Sequence, residues 1–197
     1  MATHVLDPLA ESILSFWFGP EGSPVRGAER DVWFRKDAAF DEEIRKTFGD
    51  AVAIALAGGY GEWCALPLGS LARVLLLDQF TRNLYRETPM AFAGDTRALA
   101  TAQDAVARGM NRELDRYGRW FLYMPLVHAE DRAAQRRSLE LFATLAQETG
   151  LTAPLEWARK HADIVERFGH FPHRNAILGR KSTPEEEVFL GQPGSRF

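Results

Sequence analysis

The helical spacing of the apolar residues constrains the fold more than any other feature of this 197-residue chain. The clearest stretch follows Asp37, where Phe40, Ile44, Phe48 and Val52 recur every four residues and therefore share one face of a helix. Similar spacing continues along most of the chain, and no segment shows the strict alternation of apolar and polar residues that is typical of a strand. The pattern predicts an all-α protein.

Capping residues and glycines divide this pattern into about eight helices joined by short connections. We expect helices between residues 7 and 19, 37 and 58, 67 and 86, 95 and 109, 115 and 128, 131 and 150, 152 and 169, and after 183. Asp95 is expected to cap the fourth of them, and Pro125 to kink or restart the fifth. The helix over 67–86 is apolar on more than one side, which predicts a central position. Short connections favour antiparallel pairs.

The length fits a single domain over residues 1–197, with residues 191–197 as a loose tail. Hydrophobic residues make up 46% and charged residues 26%, so neither a disordered chain nor a membrane protein is favoured. A net charge of −3 gives no reason to expect a nucleic-acid partner.

The chain is also expected to have no membrane partner and to reside in the cytoplasm. Its apolar runs are far shorter than the roughly 20 residues that span a bilayer. Residues 1–8 lack the basic and apolar regions of a secretory signal, and the single cysteine, Cys64, excludes an internal disulfide.

Four segments together carry a family resemblance: 13–19 (ILSFWFG), 78–86 (DQFTRNLYR), 123–131 (YMPLVHAED) and 167–175 (RFGHFPHRN). Their order and spacing resemble the bacterial family DUF924, a domain of unknown function. The resemblance implies an all-helical, tetratricopeptide-like superhelical bundle and implies no activity. Ala129 and His170 depart from the commonest family pattern, which has serine and arginine at these places.

Residues 168–175 concentrate hydrogen-bonding side chains in a turn that Gly169 and Pro172 stiffen. His173, Arg174 and Asn175 either clamp this loop to the backbone or form part of a site. On the central helix, Asp78 and Arg82 lie on the same stripe as core residues. They form a buried ion pair that fixes packing, or Arg82 lines a cleft and binds a carboxylate or phosphate.

The other histidines allow structural interpretations too. His161 lies on an apolar stripe, where a histidine is more often part of the core than a ligand. His128 stands at a helix C-terminus, where it can interact with the helix dipole. His170 and His173 are three residues apart, but Pro172 restricts their turn and no metal-binding motif accompanies them. We therefore expect no metal and no cofactor.

Three hypotheses for the function follow. The preferred one is a helical binding domain whose cleft holds an anionic small molecule or a peptide terminus; the residues assigned to binding are Arg82, Asn83, Arg86, His161, His173, Arg174 and Asn175. The second is a hydrolase-type enzyme that uses His128 or His173 as general acid or base, oriented by Asp78 or Glu130. The third is a scaffold that binds a protein partner.

Overall fold

The computed structural model describes residues 5–195, which form eight helices and no strand. The helices are α1 (Pro8–Phe18), α2 (Ala38–Leu56), α3 (residues 67–84), α4 (Asp95–Ala107), α5 (Arg116–His128), α6 (Arg132–Thr149), α7 (Ala153–Phe168) and α8 (Pro184–Leu190). Within α3, Pro67–Val74 and Thr81–Leu84 are α-helical and Leu75–Phe80 is a π-helical segment. The all-α prediction is confirmed.

Most helix starts follow the expected capping chemistry. The side chains of Asp7, Asp37, Asp115 and Asp131 each accept a hydrogen bond from a backbone N–H in the first turn of the following helix. Thr183 forms a complete capping box that begins α8. These contacts satisfy backbone N–H groups that a helix N-terminus otherwise leaves without partners. For this reason the helix starts could be predicted from the capping residues.

One local expectation was wrong. Asp95 does not cap α4, because Gly94 occupies the cap position and Asp95 is the first helical residue. The Asp95 carboxylate binds two arginine side chains instead. Of the two outcomes expected at Pro125, a restart does not occur, because α5 continues through it from Arg116 to His128, and a kink stays a prediction.

The core is built around α3, as its apolar sides predicted. Leu75, Leu76 and Leu77 are fully buried on consecutive positions, and α3 packs against α1, α2, α4 and α5. At one end of this core, Trp17 contacts the rings of Phe80 and Phe121 at centroid distances of 5.6 and 5.3 Å. Burial on every side fixes the position of the charged residues that α3 carries.

Helices α5, α6 and α7 follow one another through connections at 129–131 and 150–152 and pack side by side. Connections of this length bring neighbouring helices together antiparallel. The tetratricopeptide-like superhelix and the single-domain assignment stay predictions. In the expected tail, Ser195 is buried and its hydroxyl donates to the Leu190 carbonyl at 3.1 Å. Residues 196–197 lie outside the part of the chain that the structure describes. So do residues 1–4, which belong to the segment expected to lack a secretory signal.

None of the helices found between residues 5 and 195 combines the length and apolar character needed to cross a membrane.

Candidate functional site

A cleft of about 470 Å³ opens where the end of α5 meets α7 and the turn Pro172–Arg174. It contains side chains from both segments that the sequence had singled out, the second half of α3 and the loop after α7. Its lining residues are Phe34, Lys36, Arg82, Arg86, Glu87, Ala91, Phe92, His128, His161, His173, Arg174 and Ile177.

Behind this lining, the fully buried Asp78 is the centre of a hydrogen-bonded network. Its Oδ1 lies 2.7 Å from Nδ1 of His128 and 3.1 Å from Nη1 of Arg82. Its Oδ2 accepts a hydrogen bond from Nε2 of Gln79 at 2.6 Å. Asp78 therefore joins α3 to the C-terminal end of α5 and orients the His128 ring.

The π-helical segment Leu75–Phe80 explains how two adjacent polar residues of α3 can both be buried. A π turn inserts an extra residue into the helix and locally changes which side chains share a face. All six residues of the segment are buried, including Asp78 and Gln79. Such segments are frequent at functional sites.

The electrostatics of the pair keep Asp78 ionised and His128 neutral. Burial would raise the pKa of Asp78, but the Arg82 charge and the hydrogen bonds from His128 and Gln79 hold it well below its usual range. Burial lowers the pKa of His128, and the Arg82 charge lowers it further against the opposing effect of Asp78. The Nδ1 proton of a neutral His128 therefore points to Asp78, which leaves Nε2 for the cleft.

Arg82 and Arg174 share one carboxylate, that of Asp95. Nη2 of Arg82 lies 3.1 Å and Nη1 of Arg174 lies 3.3 Å from Oδ2 of Asp95. Arg174 also donates from Nη2 to the His128 carbonyl at 3.0 Å. The ion pair between Asp78 and Arg82 that the sequence suggested is present, but it belongs to this larger network.

The guanidinium group of Arg174 lies between two aromatic rings, 4.6 Å from the centroid of Phe92 and 4.5 Å from that of Phe171. Burial and the nearby Arg82 charge lower the pKa of Arg174 to about 10, against the opposing effect of Asp95. Its buried Nε has no hydrogen-bond partner among the described residues. Arg174 is thus held in place while its charge is incompletely compensated.

Three histidines, His128, His161 and His173, line the cleft and are called the histidine wall below. Nδ1 of His161 donates to the Trp157 carbonyl at 2.8 Å, and its ring lies 6.2 Å from that of His128. Burial, helped by the charge of Arg174, lowers the pKa of His161 to about 3. His161 is therefore neutral at physiological pH. The His173 ring lies 5.6 Å from that of Phe171.

Glu130 binds the loop after α7. Its carboxylate accepts two hydrogen bonds from Arg180, at 2.7 and 2.9 Å, and one from the N–H of Phe171 at 2.9 Å. Burial would raise the pKa of Glu130, but these bonds outweigh it and lower the pKa. Glu130 holds the loop after α7 and lines an adjacent cleft of about 400 Å³.

Two of the predicted binding residues do not reach the cleft. Asn83 donates to Asp41 at 2.6 Å, and Asn175 donates to Ser182 and Glu186, each at 3.1 Å. Both amides are buried and brace the surrounding structure. Arg86 does line the cleft.

The sequence interpretation missed Asp95, Lys36 and the aromatic residues Phe34 and Phe92. Asp95 was assigned to a cap because it precedes a helix, and nothing nearby in the chain indicated its arginine partners. Lys36 lies in a connecting segment without a motif and pairs with Glu87 at 2.9 Å. Within residues 5–195, no group of three or more histidine, cysteine or acidic side chains is arranged to hold a metal ion.

Comparison with known proteins places this chain in a family. The model of a family described as bacterial protein of unknown function (DUF924) matches residues 13–194. The chain belongs to the DUF924 family. The resemblance carried by the four sequence segments is thereby confirmed.

The chain is also similar to a protein of solved structure. ATU0120 from Agrobacterium tumefaciens, a protein of unknown function, is 43% identical, with a TM-score of 0.81. The similarity covers 93% of this chain and 97% of that chain. No protein of curated function shows significant similarity to the chain. Membership in the DUF924 family therefore fixes the fold and leaves the function to be argued from the cleft.

Proposed function

We propose that the cleft binds an anionic small molecule or a peptide terminus through Arg82 and Arg174. The observation that carries this proposal is the placement of charge around the cleft. Four cationic side chains line it, Lys36, Arg82, Arg86 and Arg174, and among the described lining residues Glu87 is the one acidic group.

The carboxylates that balance these arginines lie behind the lining. Asp41 holds Arg86 through two hydrogen bonds of 2.6 and 2.9 Å, while Asp78 and Asp95 hold Arg82. This arrangement orients the guanidinium groups and still presents positive charge to a ligand. A planar guanidinium group matches the geometry of a carboxylate or phosphate.

Arg174 supports the same conclusion, because burial without full compensation is costly for a cation. Its lowered pKa of about 10 reflects that cost. An anion beside Arg174 would offset this cost of burial. Part of the binding free energy would therefore come from compensating the buried charge of Arg174.

A thermal-shift screen against carboxylates, phosphates, nucleotides, amino acids and short peptides tests the proposal. A ligand at 100 times its Kd stabilises the folded state by about 2.7 kcal/mol, which raises the Tm by roughly 5–10 °C for a chain of this size. The shift should disappear in Arg174→Ala and persist in the matched control Arg159→Ala, an exposed arginine of α7 that is outside the cleft.

Circular dichroism separates loss of binding from loss of folding. If Arg174→Ala keeps its helical spectrum and its ligand response, the binding assignment is wrong. If Arg174→Ala unfolds, Arg174→Lys takes its place as the variant in the ligand screen, because lysine keeps the charge but lacks the planar guanidinium group. An absence of any ligand response would favour the protein-interaction scaffold.

A second candidate function is catalysis by His128, which the hydrogen bond to Asp78 at 2.7 Å favours. A neutral imidazole with Nδ1–H fixed by a carboxylate has its Nε2 lone pair available as a general base. In a hydrolytic reaction His128 would take a proton from the attacking water, while Arg82 and Arg174 would hold the anionic substrate. Asp78 is then a positioning residue that sets the tautomer of His128.

The test is turnover of ester, amide and phosphate-ester panels. Activity should fall by roughly 10²–10⁴-fold in His128→Gln. The matched control is His170→Gln, because His170 lies outside the cleft and contacts Glu186 at 2.9 Å. Because the pKa of His128 is lowered, the activity should persist below pH 6.5 and decline only as the ring becomes protonated. Equal activity in both variants would exclude His128 as the base.

A further inference from the structure

A second pocket, of about 490 Å³, lies toward the opposite ends of α4 and α5 from the cleft. Asp95 and His128 stand at the cleft ends of these helices, whereas Val106 and Arg119 line the second pocket. Along the axis of α5, Arg119 is about 14 Å from His128 at 1.5 Å per residue. Among the described residues, the two cavities share no lining side chain. The second pocket is therefore a separate feature.

The base of the second pocket is built from buried hydrogen-bond donors. The phenol oxygen of the fully buried Tyr123 accepts hydrogen bonds from Nδ2 of Asn111 at 2.8 Å and from Nε of Arg119 at 3.3 Å. Two accepted bonds use the acceptor capacity of a phenol and leave its O–H as a donor. Neither this O–H nor Nη2 of Arg119 has an acceptor within residues 5–195. Nη2 of Arg119 is thus available to a ligand, and the fully buried phenol of Tyr123 helps to fix the orientation of the Arg119 guanidinium group.

Acidic groups lie at the rim of this pocket and not at its base. Arg119, with 11% of its side chain exposed, pairs through Nη1 with Glu148, of which 53% is exposed. Arg137 pairs with Glu140, and both of these side chains are more than half exposed. Arg112 is exposed and makes no ion pair with a described residue. Three arginines against two carboxylates leave the pocket positive.

We infer that this second pocket binds a small ligand that carries a phosphate group. A phosphate supplies several strong acceptor oxygens and up to two negative charges, which suits a set of planar arginine forks. Leu141 and Val106 provide an apolar wall for the rest of the ligand. The inference is independent of the proposed function of the cleft, since no residue is common to both.

A site-resolved titration with inorganic phosphate tests this inference. In ¹⁵N NMR spectra, the side-chain signals of Asn111 and Arg119 should shift saturably as phosphate is added at constant ionic strength. Sodium acetate and citrate, titrated in parallel, report whether a carboxylate serves as well. Because each signal belongs to a known pocket, phosphate that binds in the cleft is read separately at Arg174.

Neighbouring arginines on α6 provide a matched pair of variants. Arg137→Gln should weaken phosphate binding roughly tenfold, because it removes a charge-assisted hydrogen bond. Arg136→Gln, one position away, exposed and outside the pocket lining, should leave the Kd unchanged. Arg112→Gln should weaken binding about threefold without affecting the fold, since the side chain is exposed.

Three results would overturn the inference. The first is that the Asn111 and Arg119 signals do not shift with phosphate. The second is an equal Kd in Arg136→Gln and Arg137→Gln. The third is a response to citrate or acetate without one to phosphate, which would assign a carboxylate to the pocket instead.

Discussion

Lowering the pH from 7 to 5 should destabilise the protein through His161. Burial lowers the pKa of this side chain from 6.5 to about 3 in the folded state. Between these two values the unfolded chain binds a proton that the folded protein does not. The stabilisation is therefore fully present above pH 6.5 and is lost as the pH falls. At 1.36 kcal/mol per pH unit, the loss from pH 7 to pH 5 is about 2 kcal/mol.

Urea denaturation at pH 8, 7, 6 and 5, followed by far-ultraviolet circular dichroism, measures this effect. His161→Asn removes the titrating group and keeps an N–H donor for the Trp157 carbonyl. The variant should lose about 2 kcal/mol less than the original chain between pH 7 and 5. Above pH 7 the two proteins should show the same pH dependence. The lowered pKa of His128 acts in the same direction in both proteins, so it cancels in the comparison.

The same loss in both proteins would refute the reasoning. It would mean that the His161 ring takes up its proton equally well in the folded and unfolded states. Burial next to His128 and Arg174 would then have no electrostatic consequence, contrary to the packing of the histidine wall.

Three further predictions concern stability, each measured by denaturant unfolding. Gly94→Ala should lower the free energy of unfolding by on the order of 1–3 kcal/mol, because the new Cβ would overlap the backbone of α3. Gly49→Ala, at a position in α2 that faces open space, should raise it by up to about 1 kcal/mol. Effects of the same sign in the two variants would contradict this packing. Asp78→Ala should destabilise the protein by about 3–5 kcal/mol, because it breaks a buried network. Asp104→Ala, which removes an exposed carboxylate, should cost about 1 kcal/mol or less. Similar costs in the two variants would argue against the network. Thr183→Ala should cost about 1 kcal/mol through loss of the capping box, and no change would argue against that cap.

The fold was predictable because its signals are local. A cap such as Asp37 and the repeat that begins at Phe40 each depend on residues within a few positions, so the sequence displays them directly. The π-helical segment Leu75–Phe80 was not predictable. Its residues fit an α-helix equally well. The choice between the α-helical and the π-helical backbone depends on packing against residues that are distant in the sequence.

The candidate site was predictable only in part. Chemistry-bearing residues on α3 and in the loop after α7 indicated which segments would meet, and Arg82 and Arg174 do meet at Asp95. Asn83 and Asn175 carry similar chemistry but point into the structure. Residue type alone does not reveal orientation, and the contact between Asp95 and Arg174 joins residues 79 positions apart.

The most direct test of anion binding in the cleft is a ¹⁵N NMR titration of the arginine Nε signals with a carboxylate and with a phosphate ligand. The Nε of Arg174 has no acceptor within the described residues, so its signal should respond strongly when an anion enters. We expect saturable shifts at Arg174 and Arg82 and a Kd roughly tenfold higher in Arg174→Lys. Unchanged signals at both arginines with every anion tested would contradict it.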